Sequence, residues 1–228
     1  MSRWLSEATA KATARLRTLA RPAEAFVGGA DVAEAVARFE AWAVEHAGSV
    51  CDVGLAGSLV HTCVVPAEVV AAAEGDDDAM LDYARLQFEH YFGLDGAAWV
   101  LAASRDERAG LVCAMSVELL SGLRAAAATH HLRLRRVAPW WARGTQAVLR
   151  EAMQGEREPR AVAAVEPGRT TLVVAQDGRI ARVVGEASSA PADWRARLQD
   201  SAGAASLWSF KLGAEQPELV FARIEGAA

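Results

Sequence analysis

The chain has 228 residues, 52% hydrophobic and 23% charged, with a net charge of −5. That length and composition suit one large globular domain or two small ones, and the charge gives no bulk attraction for nucleic acid. Three cysteines, Cys51, Cys63 and Cys113, are too few for a disulfide framework and too scattered for a zinc site, and no apolar run approaches the roughly 18–20 residues that span a bilayer.

Residues 3–20 have helical composition, with Leu5, Ala12, Leu16 and Leu19 on one side and Arg3, Lys11, Arg15 and Arg17 elsewhere. The segment lacks the apolar stretch of a secretory signal, so a cytoplasmic protein is expected. Two readings stand: a terminal helix docked on the protein, or a basic amphipathic helix giving peripheral contact with an anionic membrane. Pro22 ends it. A clearer helix covers 31–47, with Asp31 as N-cap and Val32, Val36, Phe39, Trp42 and Ala43 in a stripe at helical spacing.

Residues 50–65, VCDVGLAGSLVHTCVV, read as a hairpin about Gly57-Ser58, because glycine in first place suits a type II′ turn. That register gathers Cys51, Val53, Leu55, Val60, Thr62 and Val64 on one face and Asp52, Gly54, His61 and Cys63 on the other. Pro66 ends the hairpin, and the acidic run Glu74–Asp78 is a loop and N-cap. A helix follows at 79–92, carrying Leu81, Ala84, Leu86, Phe88, Tyr91 and Phe92. Strands at 97–103 and 110–115 flank the charged turn Arg105–Arg108. Residues 116–130 form a helix with Val117, Leu120, Leu123 and Ala127. A strand at 132–137 alternates Leu132, Leu134 and Val137 with arginines, and Pro139-Trp140-Trp141 opens a helix to about residue 153.

The polar stretch Gln154–Pro159 reads as a linker. Beyond it, residues 160–184 hold three β-branched runs separated by Glu166-Pro167-Gly168 and Asp177-Gly178, the pattern of a three-stranded antiparallel meander. A helix at 191–201 and strands at 206–211 and 218–224 complete the chain. The domain reading is therefore a helical segment at 1–48, a first unit at 49–158 and a second at 159–228.

Four constellations carry candidate chemistry. Asp52-Val53-Gly54 with Ser58 is similar to a D-x-G phosphate loop, in which the aspartate holds a magnesium-bound water and the glycine lets the backbone approach phosphate. The alternative is an aspartate on the less buried face of an edge hairpin. Asp52, His61 and Cys63 form a cross-strand Asp–His–Cys set, as in thiol hydrolases, or a chance juxtaposition around a small core residue. Trp140 and Trp141 read either as an exposed anchor for a protein partner or as core. His46, His130 and His131 lie at helix ends, where they favour the helix dipole; further metal ligands are lacking and no metal is expected.

The meander turn Val165–Thr171 is where a second phosphate loop would lie. There Glu166 stands in place of a metal-facing aspartate and Pro167 lacks a backbone N–H, and both features disfavour phosphate.

The order of elements from Val50 onward resembles the actin-like (ribonuclease-H-like) cytoplasmic assembly proteins of type IV pili and type II secretion, the PilM type and the GspL cytoplasmic-domain type. The features that carry it are Val64-Val65-Pro66, the helix Tyr83–Phe92, the strand ending Leu111–Ala114, the helix Val117–Ala127, the strand Leu132–Pro139 and the meander Ala161–Val184. The resemblance implies an α/β fold of two ribonuclease-H-like halves, with mixed sheets flanked by helices and extra N-terminal helices. It also implies a non-enzymatic scaffold at the inner-membrane face, which docks the cytoplasmic segment of a membrane-anchored assembly protein in a groove of its first half. No opening strand with a D-I-G loop is read before the hairpin, and the chain stops at a point where the adenosine-binding part is expected to be missing. The expectation is thus a pseudo-ATPase without a nucleotide cofactor. The alternative is an ATPase using ATP and magnesium through Asp52, Gly54 and Ser58.

Overall fold

The computed structural model describes residues 22–73, 76–103, 110–142, 144–145, 160–176, 179–187, 206–213 and 218–222. The expected helices at 3–20 and 191–201, the linker at 154–159, the turns at 105–108 and 177–178 and most of the helix after Trp141 lie outside the described residues.

The described residues open on a strand that the sequence reading lacked. Strand β1 (Ala23–Val27) runs parallel to β2 (Val50–Leu55), and helix α1 (Val32–Glu45) makes the crossover. Residues placed in a helical segment therefore begin a β–α–β unit. Ala25 and Val27 point into the core while Glu24 and Phe26 face outward, so the two-residue period is present despite the small side chains. Asp31 caps α1 as expected, its carboxylate accepting from the Glu34 N–H at 2.8 Å.

The hairpin expected at 50–65 does not form. Gly57–Leu59 is a short 3₁₀ turn. Strand β2 pairs in parallel with β1 on one side and β6 (Arg133–Pro139) on the other, while β3 (His61–Val64) pairs with β5 (Leu111–Ser116) in a different sheet. A two-residue turn signal is local, whereas here both strands gain more by entering larger sheets. Beyond β3 come α2 (Ala67–Ala72), α3 (Asp77–Phe92) and β4 (Trp99–Ala103), which completes an antiparallel sheet in the order β3-β5-β4.

Helix α4 (Val117–Thr129) joins β5 to β6 and packs with α1 on the parallel sheet β1-β2-β6. Phe39, Ala43, Cys51, Leu55, Leu119 and Leu123 form the centre of that core. The end of α4 is closed by backbone rather than by imidazole. Leu132 N–H donates to the Ala127 carbonyl at 2.8 Å and His131 N–H to that of Ala128 at 3.1 Å, with His131 at φ 55.

The meander is present as read, with β7 (Arg160–Glu166), β8 (Arg169–Gln176) and β9 (Arg179–Ala187) in antiparallel succession. Strand β10 (Ser206–Lys211) pairs in parallel with β7, and β11 (Glu218–Ala222) pairs antiparallel to β10, giving a five-stranded mixed sheet. The antiparallel sheet lies between two layers. Cys63, Val112 and Ala114 face Ala84 and Phe88 of α3, while Val64 and Leu111 face Trp141, Val162 and Val173 near the meander.

Gly122 sits inside α4 where it meets α1. A Cβ there would lie 2.6 Å from Val36 Cγ2, and valine in a helix has little rotamer freedom with which to retreat. Glycine to alanine inside a helix ordinarily stabilises by roughly 1 kcal/mol. Gly122→Ala is expected to reverse that sign and destabilise by about 1–2 kcal/mol in urea unfolding, because overpacking outweighs propensity.

Candidate functional site

Each expected phosphate-loop residue has a definite place. Asp52 lies within β2, is 7% exposed and forms a bidentate pair with Arg135. Arg135 Nε donates to Oδ1 at 2.8 Å and its terminal nitrogen to Oδ2 at 2.5 Å. This fork geometry matches two carboxylate oxygens to two donors. The alternation of apolar residues with arginines along β6 carries no sign that Arg135 pairs with Asp52. The space over Gly54, expected to admit a phosphate, is taken by Trp140. A Cβ on Gly54 would lie 2.9 Å from Trp140 Cβ and 3.2 Å from its Cα. Ser58 is an exposed residue of the 3₁₀ turn.

The two tryptophans divide. Trp141 is 2% exposed and packs with Leu111, Val162 and Val173. That is core, not the surface anchor that was one of the two readings of the pair. Trp140 is half-buried, stands edge-on to Phe26 with ring centroids 6.2 Å apart, and donates its indole N–H to Glu166 Oε2.

Glu166 is the residue that gathers these elements. It ends β7, just before the turn in which Pro167 comes first and Gly168, at φ +75, comes second. The residue is 6% exposed. Its Oε1 accepts the backbone N–H of Gly57 at 2.8 Å, across 109 residues of chain. One carboxylate thus joins the β7–β8 turn to the 3₁₀ turn after β2 and to the residue that follows β6. The turn expected to be a degraded second phosphate loop meets the loop expected to be the first.

Arg169, directly across the turn from Glu166, adds positive charge to this place. Its guanidinium lies over Gly185 of β9, where a Cβ would fall 2.1 Å from a terminal nitrogen. Arg169 Nε is buried and has no hydrogen-bond partner among the described residues. Burial raises the Glu166 pKa above the ordinary 4.5, and the Gly57 N–H, the Trp140 indole and the Arg169 charge offset part of that rise.

The Asp–His–Cys set is not brought together. Asp52 belongs to the parallel sheet and His61 and Cys63 to the antiparallel one. His61 packs against Phe92 and Trp99, at centroid distances of 4.7 and 5.0 Å, and burial lowers its pKa, with Arg169 adding to the effect. Burial also raises the Cys63 thiol, and pushes Cys51 and Cys113 up to about 11, so thiolate character is suppressed at all three. Among the described residues, no three His, Cys, Asp or Glu side chains are grouped as metal ligands, and no helix is long and apolar enough to cross a membrane.

No family model matches the sequence, and no curated protein matches it significantly. Solved structures do. A chain of the PilM–PilN type IV pilus biogenesis complex superimposes with a TM-score of 0.50 at 16% identity, over 74% of this chain and 53% of that one. The chain has the actin-like fold of the PilM type.

The cytoplasmic domain of EpsL, an inner-membrane component of the Vibrio cholerae type II secretion system, is similar over 83% of this chain and 70% of that one, with a TM-score of 0.42 and 16% identity. A protein of unknown function with an actin-like ATPase fold, from Bacteroides thetaiotaomicron VPI-5482, is similar over 66% of this chain and 52% of that one, at TM-score 0.39 and 9% identity. The chain spans about half the length of the PilM–PilN and Bacteroides chains. At such identities the likeness is one of fold.

In this PilM-type fold the Glu166 contact has a pH signature. Its raised folded-state pKa means that the fold favours the protonated acid. The corresponding stability is fully present below pH 4.5 and is lost as pH rises through the higher folded value. Glu166→Gln removes the titration. Urea unfolding of the two proteins at pH 7 and pH 4 is therefore expected to move in the wild type's favour at the lower pH. An unchanged or opposite difference would contradict the burial of an ionised carboxylate.

Proposed function

We propose that this protein is a non-enzymatic cytoplasmic scaffold or adaptor of a type IV pilus or type II secretion-like assembly. In this reading it consists of two ribonuclease-H-like halves and binds the cytoplasmic segment of a membrane-anchored partner. The fold of the PilM type supports the class, since that protein is known from a complex with PilN in type IV pilus biogenesis. The protein works by holding another chain, at the cytoplasmic face of the inner membrane.

The observation that carries the non-nucleotide part is the Glu166 contact. A phosphate at the 3₁₀ turn would have to take the Gly57 N–H from a carboxylate already bonded to it at 2.8 Å. Two like charges cannot share that donor at low cost in a buried place. Three of the adjoining residues offer no substitute. Pro167 has no N–H, Asp52 is paired with Arg135, and the space over Gly54 holds Trp140. These residues do not fit a nucleotide phosphate, and no hydrolytic step is assigned to them.

Two measurements test the reading. Calorimetric titration with Mg-ATP is expected to give no binding in the micromolar range; micromolar binding that disappears in Asp52→Ala would instead establish the nucleotide-dependent alternative. Immobilised cytoplasmic segments of membrane-anchored pilus or secretion proteins encoded beside this chain are expected to retain it. Failure of every such segment to do so would remove the adaptor role.

A further inference from the structure

The donors around Glu166 have the form of an anion receptor. Gly57 N–H and Trp140 Nε1–H come from separate elements and converge on the two oxygens of one carboxylate. Arg169 supplies a third N–H, buried at Nε and without a partner among the described residues, and its charge acts on the same carboxylate. The Thr171 hydroxyl lies beside them, 3.0 Å from where a Gly57 Cβ would be. Any side chain on Gly57 would also meet Arg169 Nε and Glu166 Oε1, each at 3.2 Å, so the receptor closes over a bare backbone. Such converging N–H groups hold oxyanions in many proteins.

We infer that Glu166 is the chain's own ligand in this receptor, a latch pinning the β7–β8 turn to the loops after β2 and β6, and that a small carboxylate from solution takes its place when the side chain is cut back. The geometry requires this of a receptor in a way that it does not of an ordinary buried hydrogen bond. Shortening Glu166 leaves two donors facing a space of carboxylate size, and Arg169 stays at its edge with uncompensated charge. Buried donors without partners are costly, so the vacated place gains from any anion that fits. Acetate carries the same group as the glutamate side chain. Formate is smaller and tests whether charge alone suffices.

The inference rests on the reading that no nucleotide phosphate uses this place, and the two are separable. Mg-ATP binding by the wild type would sink that reading without touching the rescue. A failed rescue would sink the latch without making the protein bind ATP.

The experiment compares thermal unfolding of wild type, Glu166→Ala and Glu166→Ala/Trp140→Phe in sodium acetate, sodium formate and sodium chloride at equal ionic strength. Loss of two satisfied donors is expected to lower the midpoint of Glu166→Ala by roughly 4–8 °C. At about 100 mM, acetate is expected to recover a substantial part of that loss through selective binding to the folded state, while chloride does not. Wild type should respond equally to both salts, and adding Trp140→Phe should weaken the acetate effect. The indole N–H resonance of Trp140 should shift in Glu166→Ala and return toward its wild-type position with acetate. Should Glu166→Ala fold poorly, its refolding yield is read with and without acetate, and acetate-dependent recovery is the same result. A variant as stable as wild type, or one helped no more by acetate than by chloride, would overturn the latch.

Discussion

A carboxylate buried at the meeting of three chain segments sets the constraint on which the central part of this structure depends. Ionised groups are tolerated out of water only when charge and hydrogen bonds compensate them. Glu166 meets that condition in part, with one backbone donor, one indole donor and a neighbouring guanidinium that offset some of the cost of its burial. Each requirement passes to another residue. Trp140 must turn its indole toward Glu166, which brings its backbone down onto β2, so that only glycine fits at residue 54. Gly57 presents a bare N–H, and a Cβ there would lie 3.0–3.2 Å from Thr171, Arg169 and Glu166, so each of these side chains would have to give way slightly. Arg169 lies across β9, where a Cβ on residue 185 would have to displace the end of its guanidinium. Three glycines that look like flexible punctuation are spaces left for other atoms.

The same contact explains how a fold of the PilM type can be built around its own charge. Asp52 and Glu166, the two acidic residues nearest the expected phosphate loops, are both engaged by the protein itself, one by Arg135 and the other by Gly57 and Trp140. A cleft that holds phosphate needs donors aimed at an incoming anion. Here the donors meet an anion carried by the chain. Beside this contact the apolar packing of Trp141, Leu111, Val162 and Val173 ties the five-stranded sheet to the antiparallel one, so polar and apolar contacts act together.

Much of the architecture was legible locally. Helix α1 announced itself through Asp31 and the Phe39 and Ala43 stripe, and the meander through alternating β-branched runs and a Pro-Gly turn. Strand β1 has the right period but is carried by alanines, and small side chains give a weak signal. The false hairpin at 50–65 arose because Gly57-Ser58 fits a tight turn, whereas parallel pairing of β2 with β1 and β6 is a property of distant chain. Alternating arginines near β6 marked an exposed strand face, yet Arg135 turns to Asp52 across a gap of 83 residues. Glu166 was noticed, but as a defect in a loop. Its partners lie 26 and 109 residues away, and no spacing rule connects them.

A crystal structure of the wild-type protein grown with saturating Mg-ADP tests the central claim most directly. The account predicts Glu166 still bonded to the Gly57 N–H and the Trp140 indole, with no phosphate density at the turn. Phosphates seated on the Gly57 amide, with the Glu166 side chain swung aside, would contradict it.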